Sequence, residues 1–275
     1  MVHCLMSFFK KAIKSLFSTL GYEISPKSTQ KIRVENFQNL VSAYQYQIDR
    51  NNSTPCRPGN ELRVQALGRL LGTSPAQAFE IISALSVTAD IPGDVCEFGV
   101  AQGETSALMA NEISKSNKAL HLFDSFEGLP APSEKDQLKD DIFALGDIEA
   151  YQGEMSCAVD MVKHRLAMIE FPDSRYQIHQ GFIEEIIKES RDFPEAVSFA
   201  YVDFDFYEPI KIALDFLANT LSVGGKVMID DYDFFSTGAK TAVDEFVEKM
   251  NSEVPKYSIE VADKQLGNFA VISKL

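Results

Sequence analysis

The end of the chain constrains the fold most. Tyr257–Ala262 and Asn268–Ser273 read as two short strands with only five residues between them. A parallel crossover needs about a dozen residues or more, so this pair must run antiparallel. The stretch from residue 60 to this tail alternates instead. Apolar strands are expected at Asp94–Gly99, Lys118–Asp124, Tyr176–Gln180, Val197–Phe204 and Gly225–Ile229. Helices are expected at 61–72, 75–86, from the turn after Gly99 to about Ser114, at 151–171, 183–190 and 209–219, and from about Lys240 to Met250. Such alternation implies a parallel sheet with helices on both faces. The expected fold is α/β: a Rossmann-like, mostly parallel seven-stranded sheet closed by an antiparallel hairpin.

A chain of 275 residues has room for one such domain and an appendage. Its 45% hydrophobic and 24% charged residues exclude a disordered or fibrous protein. Cys4, Cys56, Cys96 and Cys157 lie far apart with no CxxC, so neither a zinc site nor a disulfide scaffold is expected. Reduced thiols fit a cytoplasmic protein. No apolar run reaches the roughly 20 residues that a membrane-spanning helix needs. The net charge of −14 disfavours nucleic acid as a partner.

That charge is unevenly spread. Residues 1–34 carry +5 and the remainder −19. Within the basic part, Leu5, Phe8, Phe9, Ala12, Ile13, Leu16, Phe17 and Leu20 recur at helical spacing, with Lys10, Lys11 and Lys14 between them. This is an amphipathic helix with a basic face. It is expected to pack on the main domain or on a second subunit of a homo-oligomer. Contact with an anionic membrane surface is the first alternative, and a secretory signal the weaker one, since lysines interrupt the apolar stretch and no A-x-A-like site follows. Residues 50–60, rich in Asn, Ser, Pro and Gly, read as a linker. The expected division is a helical appendage and linker at 1–60 and the α/β domain at 61–275.

Two strand ends point to a ligand. The first runs Glu97-Phe98-Gly99-Val100-Ala101-Gln102-Gly103-Glu104-Thr105. Glycines after a parallel strand permit a tight turn and close ligand approach, and the following helix aims its free amides at the same place. The spacing is G-x-x-x-G, which disfavours a dinucleotide pyrophosphate. The second strand ends in Asp124-Ser125, 21 positions after Gly103. An acid at that distance accepts hydrogen bonds from ribose hydroxyls. Glu97, Gly99, Gly103, Thr105, Asp124 and Ser125 are thus the expected contacts of an adenosyl ligand.

Two further strand ends are acidic: Asp203-Phe204-Asp205 and Asp230-Asp231. Ligands in open α/β sheets bind outside the carboxyl ends of strands, so these carboxylates face one crevice. Ionised carboxylates sharing a small volume need a compensating charge. A hard divalent cation, Mg²⁺ or Mn²⁺, supplies it through oxygen ligands. Asp203 and Asp205 share a side of an extended strand, so either is a candidate ligand; Asp205 lies farther out, toward the adenosyl ligand. Asp230 and Asp231 face opposite ways unless the strand has ended. His121, His164 and His179 read as structural. Residues 125–155, long and irregular, are expected to lie over the site.

These motifs resemble the macrocin O-methyltransferase family: EFGVAQG at 97–103, FDSFEGLP at 123–130, VDFDFYEP at 202–209, SVGGKVMIDDY at 222–232 and GAKTAVDEF at 238–246. The resemblance, which runs from about Gly93 to Phe246, implies a class I methyltransferase fold, S-adenosylmethionine as donor and Mg²⁺ as metal. It implies Asp203, Asp230 and Asp231 as metal ligands, Asp203 also as the base, and Asp124, Gly99 and Gly103 as donor contacts. The implied reaction is methylation of a hydroxyl, on a sugar of a natural product or glycan. A catechol-type O-methyltransferase, a non-catalytic donor-binding protein and a nicotinamide enzyme are the competing readings.

Overall fold

The computed structural model describes residues 61–189 and 192–275. The basic helix expected at 4–20 and the linker at 50–60 lie outside the described residues. Seven strands form one sheet: β1 Asp94–Phe98, β2 Leu120–Asp124, β3 Tyr176–Gln180, β4 Val197–Val202, β5 Leu221–Ile229, β6 Tyr257–Val261 and β7 Ala270–Lys274. Their spatial order is β3-β2-β1-β4-β5-β7-β6. Strands β1 to β5 pair in parallel, and β7 inserts antiparallel between β5 and β6. The expected sheet and its closing hairpin are both present. No helix among the described residues is long and apolar enough to cross a membrane.

The helices are α1 Glu61–Arg69, α2 Pro75–Val87, α3 Glu104–Ile113, α4 Val159–Met168, α5 Ile183–Ile186, α6 Tyr207–Thr220 and α7 Thr237–Met250. Both sheet faces are covered, which is why β1, β2 and β4 are almost continuously buried instead of alternating. Cys96, Phe98, Ala200 and Val202 pack against α6 and α7, while Val95, Phe199 and Tyr201 join the cluster built from α2, α3 and α4. Strand parity therefore sends Glu97, Tyr201 and their neighbours toward α2 and α3. On the other face Phe98 stacks on Phe123 with centroids 4.5 Å apart, a pair worth about 0.5–1.5 kcal/mol beyond its buried area.

Two expected helices are corrected. The stretch 151–171 is helical only over Val159–Met168, after a short 3-10 turn at Glu149–Tyr151. Gly153 and Met155 take φ of 81° and 63°, which a right-handed helix cannot contain. The helix expected at 183–190 is a single turn, Ile183–Ile186.

One long-range cap positions the acidic strand end. Asp136 is buried, and its Oδ1 accepts the Tyr207 amide at 2.8 Å, the first turn of α6. A Cβ on Gly238 would sit 1.8 Å from that same Oδ1. Glycine is required there because Asp136 reaches across the start of α7 to cap α6.

His121 and His179 stack with centroids 5.4 Å apart, and His121 Nδ1 lies 3.1 Å from His179 Nε2. Both are buried between neighbouring strands, a structural setting as expected.

Candidate active site

The carboxyl ends of β1, β2, β4 and β5 open into one cavity of about 600 Å³. Its β1 and β2 side is built by close backbone approach. Gly99 has φ of 89°, and a Cβ there would lie 1.9 Å from the Asp203 carbonyl oxygen. The Asp203 amide donates to the Phe98 carbonyl at 2.7 Å, locking the ends of β1 and β4 together. Gly103 follows with φ of 81°, and a Cβ there would meet Val162 at 3.1 Å. Between them Ala101 holds φ of 44°.

Asp124 anchors this turn. Its Oδ2 accepts the amides of Val100 and Ala101 at 2.7 and 2.8 Å, and its Oδ1 accepts the Phe126 amide at 2.6 Å. A carboxylate accepts about four hydrogen bonds, so roughly one position remains for a ligand. Ser125 Oγ accepts the Glu127 amide at 3.0 Å and donates to the Gly128 carbonyl at 3.2 Å. Thr105 pairs with Thr73, their hydroxyl oxygens 2.7 Å apart.

Glu97 lies beneath the turn, fully buried. The Ser106 hydroxyl donates to its Oε2, while Oε1 has no partner. Burial pushes this carboxyl well above its ordinary range; the Ser106 bond opposes the rise, and the charges of Asp124 and Glu104 add to it.

The β4 and β5 side gathers acids. β4 ends at Val202, so Asp203 and Asp205 leave the strand instead of continuing it. Asp205 takes φ of 61°, and its backbone carbonyl accepts the Ser236 hydroxyl at 2.8 Å. Extended-strand parity therefore does not orient Asp205; its carboxyl lies beside that of Asp231. β5 ends at Ile229, and Asp231 has φ of 52°. That release lets Asp230 and Asp231 line the same cavity, the exception the strand parity allowed. Two aspartates in the left-handed region at adjoining strand ends are strained backbone of the kind found at functional sites.

Burial and then neighbouring carboxylates push Asp203, Asp205 and Asp231 well above the carboxylate range. Burial raises Asp230 less, because Tyr201, the Asp231 amide and Gln77 all donate to it. The Tyr201 hydroxyl lies 2.5 Å from Asp230 Oδ2 and 3.5 Å from Asp203 Oδ2.

The whole cavity is lined by eight carboxylates: Glu97, Glu104, Asp124 and Glu184 on one side, Asp203, Asp205, Asp230 and Asp231 on the other. No Lys, Arg or His is among the described lining residues. Every acid expected at the site is therefore in one place. As placed, no three His, Cys, Asp or Glu side chains among the described residues form a group that could hold a metal ion. Asp230 is turned to Tyr201 and Gln77, and Asp205 to Asp231.

Residues 125–155 do lie over the cavity: Leu129, Pro130, Ile142, Phe143 and Met155 line it. They are pinned to the body. The Lys139 amide donates to Phe235 O at 2.9 Å, and the Gln137 amide donates to Thr237 Oγ1 at 2.9 Å.

Sequence reasoning missed Thr73, Gln77 and Tyr201. Gln77 had a signal: Ser74-Pro75-Ala76-Gln77 is a capping-box pattern. Tyr201 reads as an ordinary strand aromatic.

The family model described as Macrocin-O-methyltransferase (TylF) matches residues 25–263. Demethyldecarbamoylnovobiocin O-methyltransferase of Streptomyces niveus is 24% identical over 220 residues, 79% of each chain. The 8-demethyl-8-(2,3-dimethoxy-alpha-L-rhamnosyl)-tetracenomycin-C 4'-O-methyltransferase of Streptomyces olivaceus is 28% identical over 151 residues, 54% of this chain and 56% of its own length. Among solved structures, the O-methyltransferase NovP superposes with a TM-score of 0.61 at 19% identity, over 87% of this chain and 99% of that one. The calicheamicin methyltransferase CalS11 superposes with 0.59 at 20% identity, over 92% and 94%. The motifs, the sheet and the family match agree: the chain belongs to the macrocin O-methyltransferase family and is an S-adenosylmethionine-dependent O-methyltransferase.

Proposed function

We propose that this enzyme methylates a sugar hydroxyl of a glycosylated natural product, with Asp203 as the base and a divalent cation held among Asp203, Asp230 and Asp231. The observation that carries the reading is the single cavity, which joins a glycine turn and ribose-type acid to four carboxylates without one cationic side chain among its described lining residues. Such a cavity suits a cationic donor on one side and a cation on the other. The tetracenomycin relative is named for methylating a rhamnosyl group, which supports a sugar as acceptor.

The chain's residues divide the work. Gly99 and Gly103 let the donor approach the backbone, and Asp124 offers its remaining lone pair to the ribose while holding the turn closed. Thr105 and Ser125 border the same space, and Glu97 presents its free Oε1 to a cationic group. S-adenosylmethionine brings a methyl already activated on sulfonium, so the protein chiefly positions it in line. Asp203, at the seam between both sides, takes the acceptor's proton. Mg²⁺ or Mn²⁺ bound at the all-oxygen cluster would supply Lewis-acid polarisation of the acceptor hydroxyl. The reading requires the carboxyls of Asp203 and Asp231 to turn toward the Asp230 carboxylate, which Tyr201 and Gln77 already hold in place. Leu129, Ile142 and Phe143 give the cavity an apolar border.

Thermal-shift measurements with S-adenosylhomocysteine, with and without Mg²⁺, test the two halves separately. Stabilisation by each is expected. A ligand shift with no metal effect would remove the cation. A screen of glycosides against phenols then decides the acceptor: transfer to catechols alone would replace the sugar reading.

A further inference from the structure

We propose that Gln77, held by its own helix cap, and Tyr201 are positioning residues that together set the orientation of the Asp230 carboxylate. The inference rests on the reading of Asp230 as part of the active cluster. Gln77 is buried in the first turn of α2. Its backbone amide donates to Ser74 Oγ at 3.2 Å, and its side-chain Oε1 accepts the Ser74 amide at 2.6 Å. The second of these bonds, from the Ser74 backbone amide, fixes where the Gln77 side-chain amide points. Its Nε2 then donates to Asp230 Oδ1, 153 residues away in sequence.

The other oxygen is held from the opposite direction. Tyr201, fully buried on β4, lies 2.5 Å from Asp230 Oδ2. The Asp231 amide adds a third donor, to Oδ1, at 2.9 Å. Thr73, next to the cap, bonds Tyr201 and also pairs with Thr105 on α3. The segment before α2 thus ties the donor side of the cavity to the acidic side.

An ordinary helix cap would not need this geometry. The capping box uses Oε1 of Gln77 and leaves Nε2 without a task, yet Nε2 is aimed at the one aspartate of the cluster whose two oxygens are both occupied. Outer-shell partners that orient an active carboxylate typically change activity or metal affinity roughly 10–100-fold when removed.

The test compares Gln77→Met, Tyr201→Phe, Ser74→Ala and Asp230→Asn in the full-length protein. The readouts are kcat, melting temperature, S-adenosylhomocysteine affinity by calorimetry and Mn²⁺ affinity by electron paramagnetic resonance. Ser74→Ala removes one cap bond and should cost stability without changing kcat. Gln77→Met and Tyr201→Phe should each lower kcat roughly 10–100-fold and weaken Mn²⁺, with donor-product affinity unchanged. Loss of kcat in both with no Mn²⁺ binding in any variant would still support positioning, while removing the cation from the mechanism. If Gln77→Met behaves like Ser74→Ala and Tyr201→Phe keeps full kcat, the inference is overturned. Should Gln77→Met fail to fold, Tyr201→Phe decides alone, since it deletes only a hydroxyl. Asp230→Asn separates the two levels. If it is inactive while the other two are normal, only the positioning role falls; if it is fully active, the reading of the cluster falls with it.

Discussion

The two sides of the cavity satisfy their carboxylates in opposite ways. On the β1 and β2 side, Asp124 accepts three backbone amides from residues in and beside the glycine turn. On the β4 and β5 side, Asp203, Asp205, Asp230 and Asp231 crowd together; burial raises all four, and neighbouring carboxylates raise Asp203, Asp205 and Asp231 further. On the first side Asp124 is nearly satisfied by amides and Glu97 keeps an unpartnered oxygen; the second side calls for positive charge. The lesson is that donor binding and acceptor chemistry should respond differently to pH, metal and mutation, although they share one cavity.

The largest effect is expected at the seam. Asp203→Asn should lower kcat by about 10²–10⁴-fold, the usual scale for a general base, and leave S-adenosylhomocysteine affinity in place. Equal losses in both would show that the two sides are not separable. Next, Asp124→Ala should weaken donor and donor-product binding by roughly tenfold or more, because a charge-assisted bond is worth about 1.5–3 kcal/mol. Its Mg²⁺ response should persist, and calorimetry with a metal titration checks both. A Mg²⁺ response lost along with donor affinity would erase the contrast.

The pH prediction follows from the raised carboxyls. Groups whose folded pKa lies above the unfolded value favour the folded state when protonated. Their contribution is fully present below the unfolded value and is lost as pH rises through the folded one. Without metal, stability should therefore fall as pH rises from about 4 through the cluster's titration range. Mg²⁺ binding displaces those protons, so the Mg²⁺-induced rise in melting temperature should grow over the same range. A rise independent of pH would put the cation somewhere other than this cluster. The smallest effect is Asp205→Asn. Removing one charge beside Asp231 should raise the metal-free melting temperature at pH 8 by roughly 2–4 °C, the scale of about 1 kcal/mol in a chain of this size. A drop instead would mean that the Asp205 carboxylate bonds more than it repels.

Much of this was legible beforehand because strand ends carry local signals. EFGVAQG and FDSF announce a turn and an acid through glycine and aspartate alone, and both fall where the sheet topology places them. The antiparallel tail followed from one short connection. Helix 151–171 was misread because Gly153 and Met155 leave the helical region inside an otherwise amphipathic stretch. Gln77 was missed as a site residue because its partner lies 153 positions away, and a capping residue carries no mark of what else its side chain touches.

The sequence by itself determined the sheet, the glycine turn and the set of acids at four strand ends, since periodicity, connection length and residue type are local properties. The tertiary structure alone decided how those acids relate. It closed Gly99 onto the Asp203 carbonyl, set Asp205 beside Asp231, turned Asp230 toward Tyr201 and Gln77, and gave Asp124 three amide donors. The physical reason is that a carboxylate's state depends on which donors and charges lie within a few ångströms. Those neighbours come from separate strands and helices that only the packed sheet brings together.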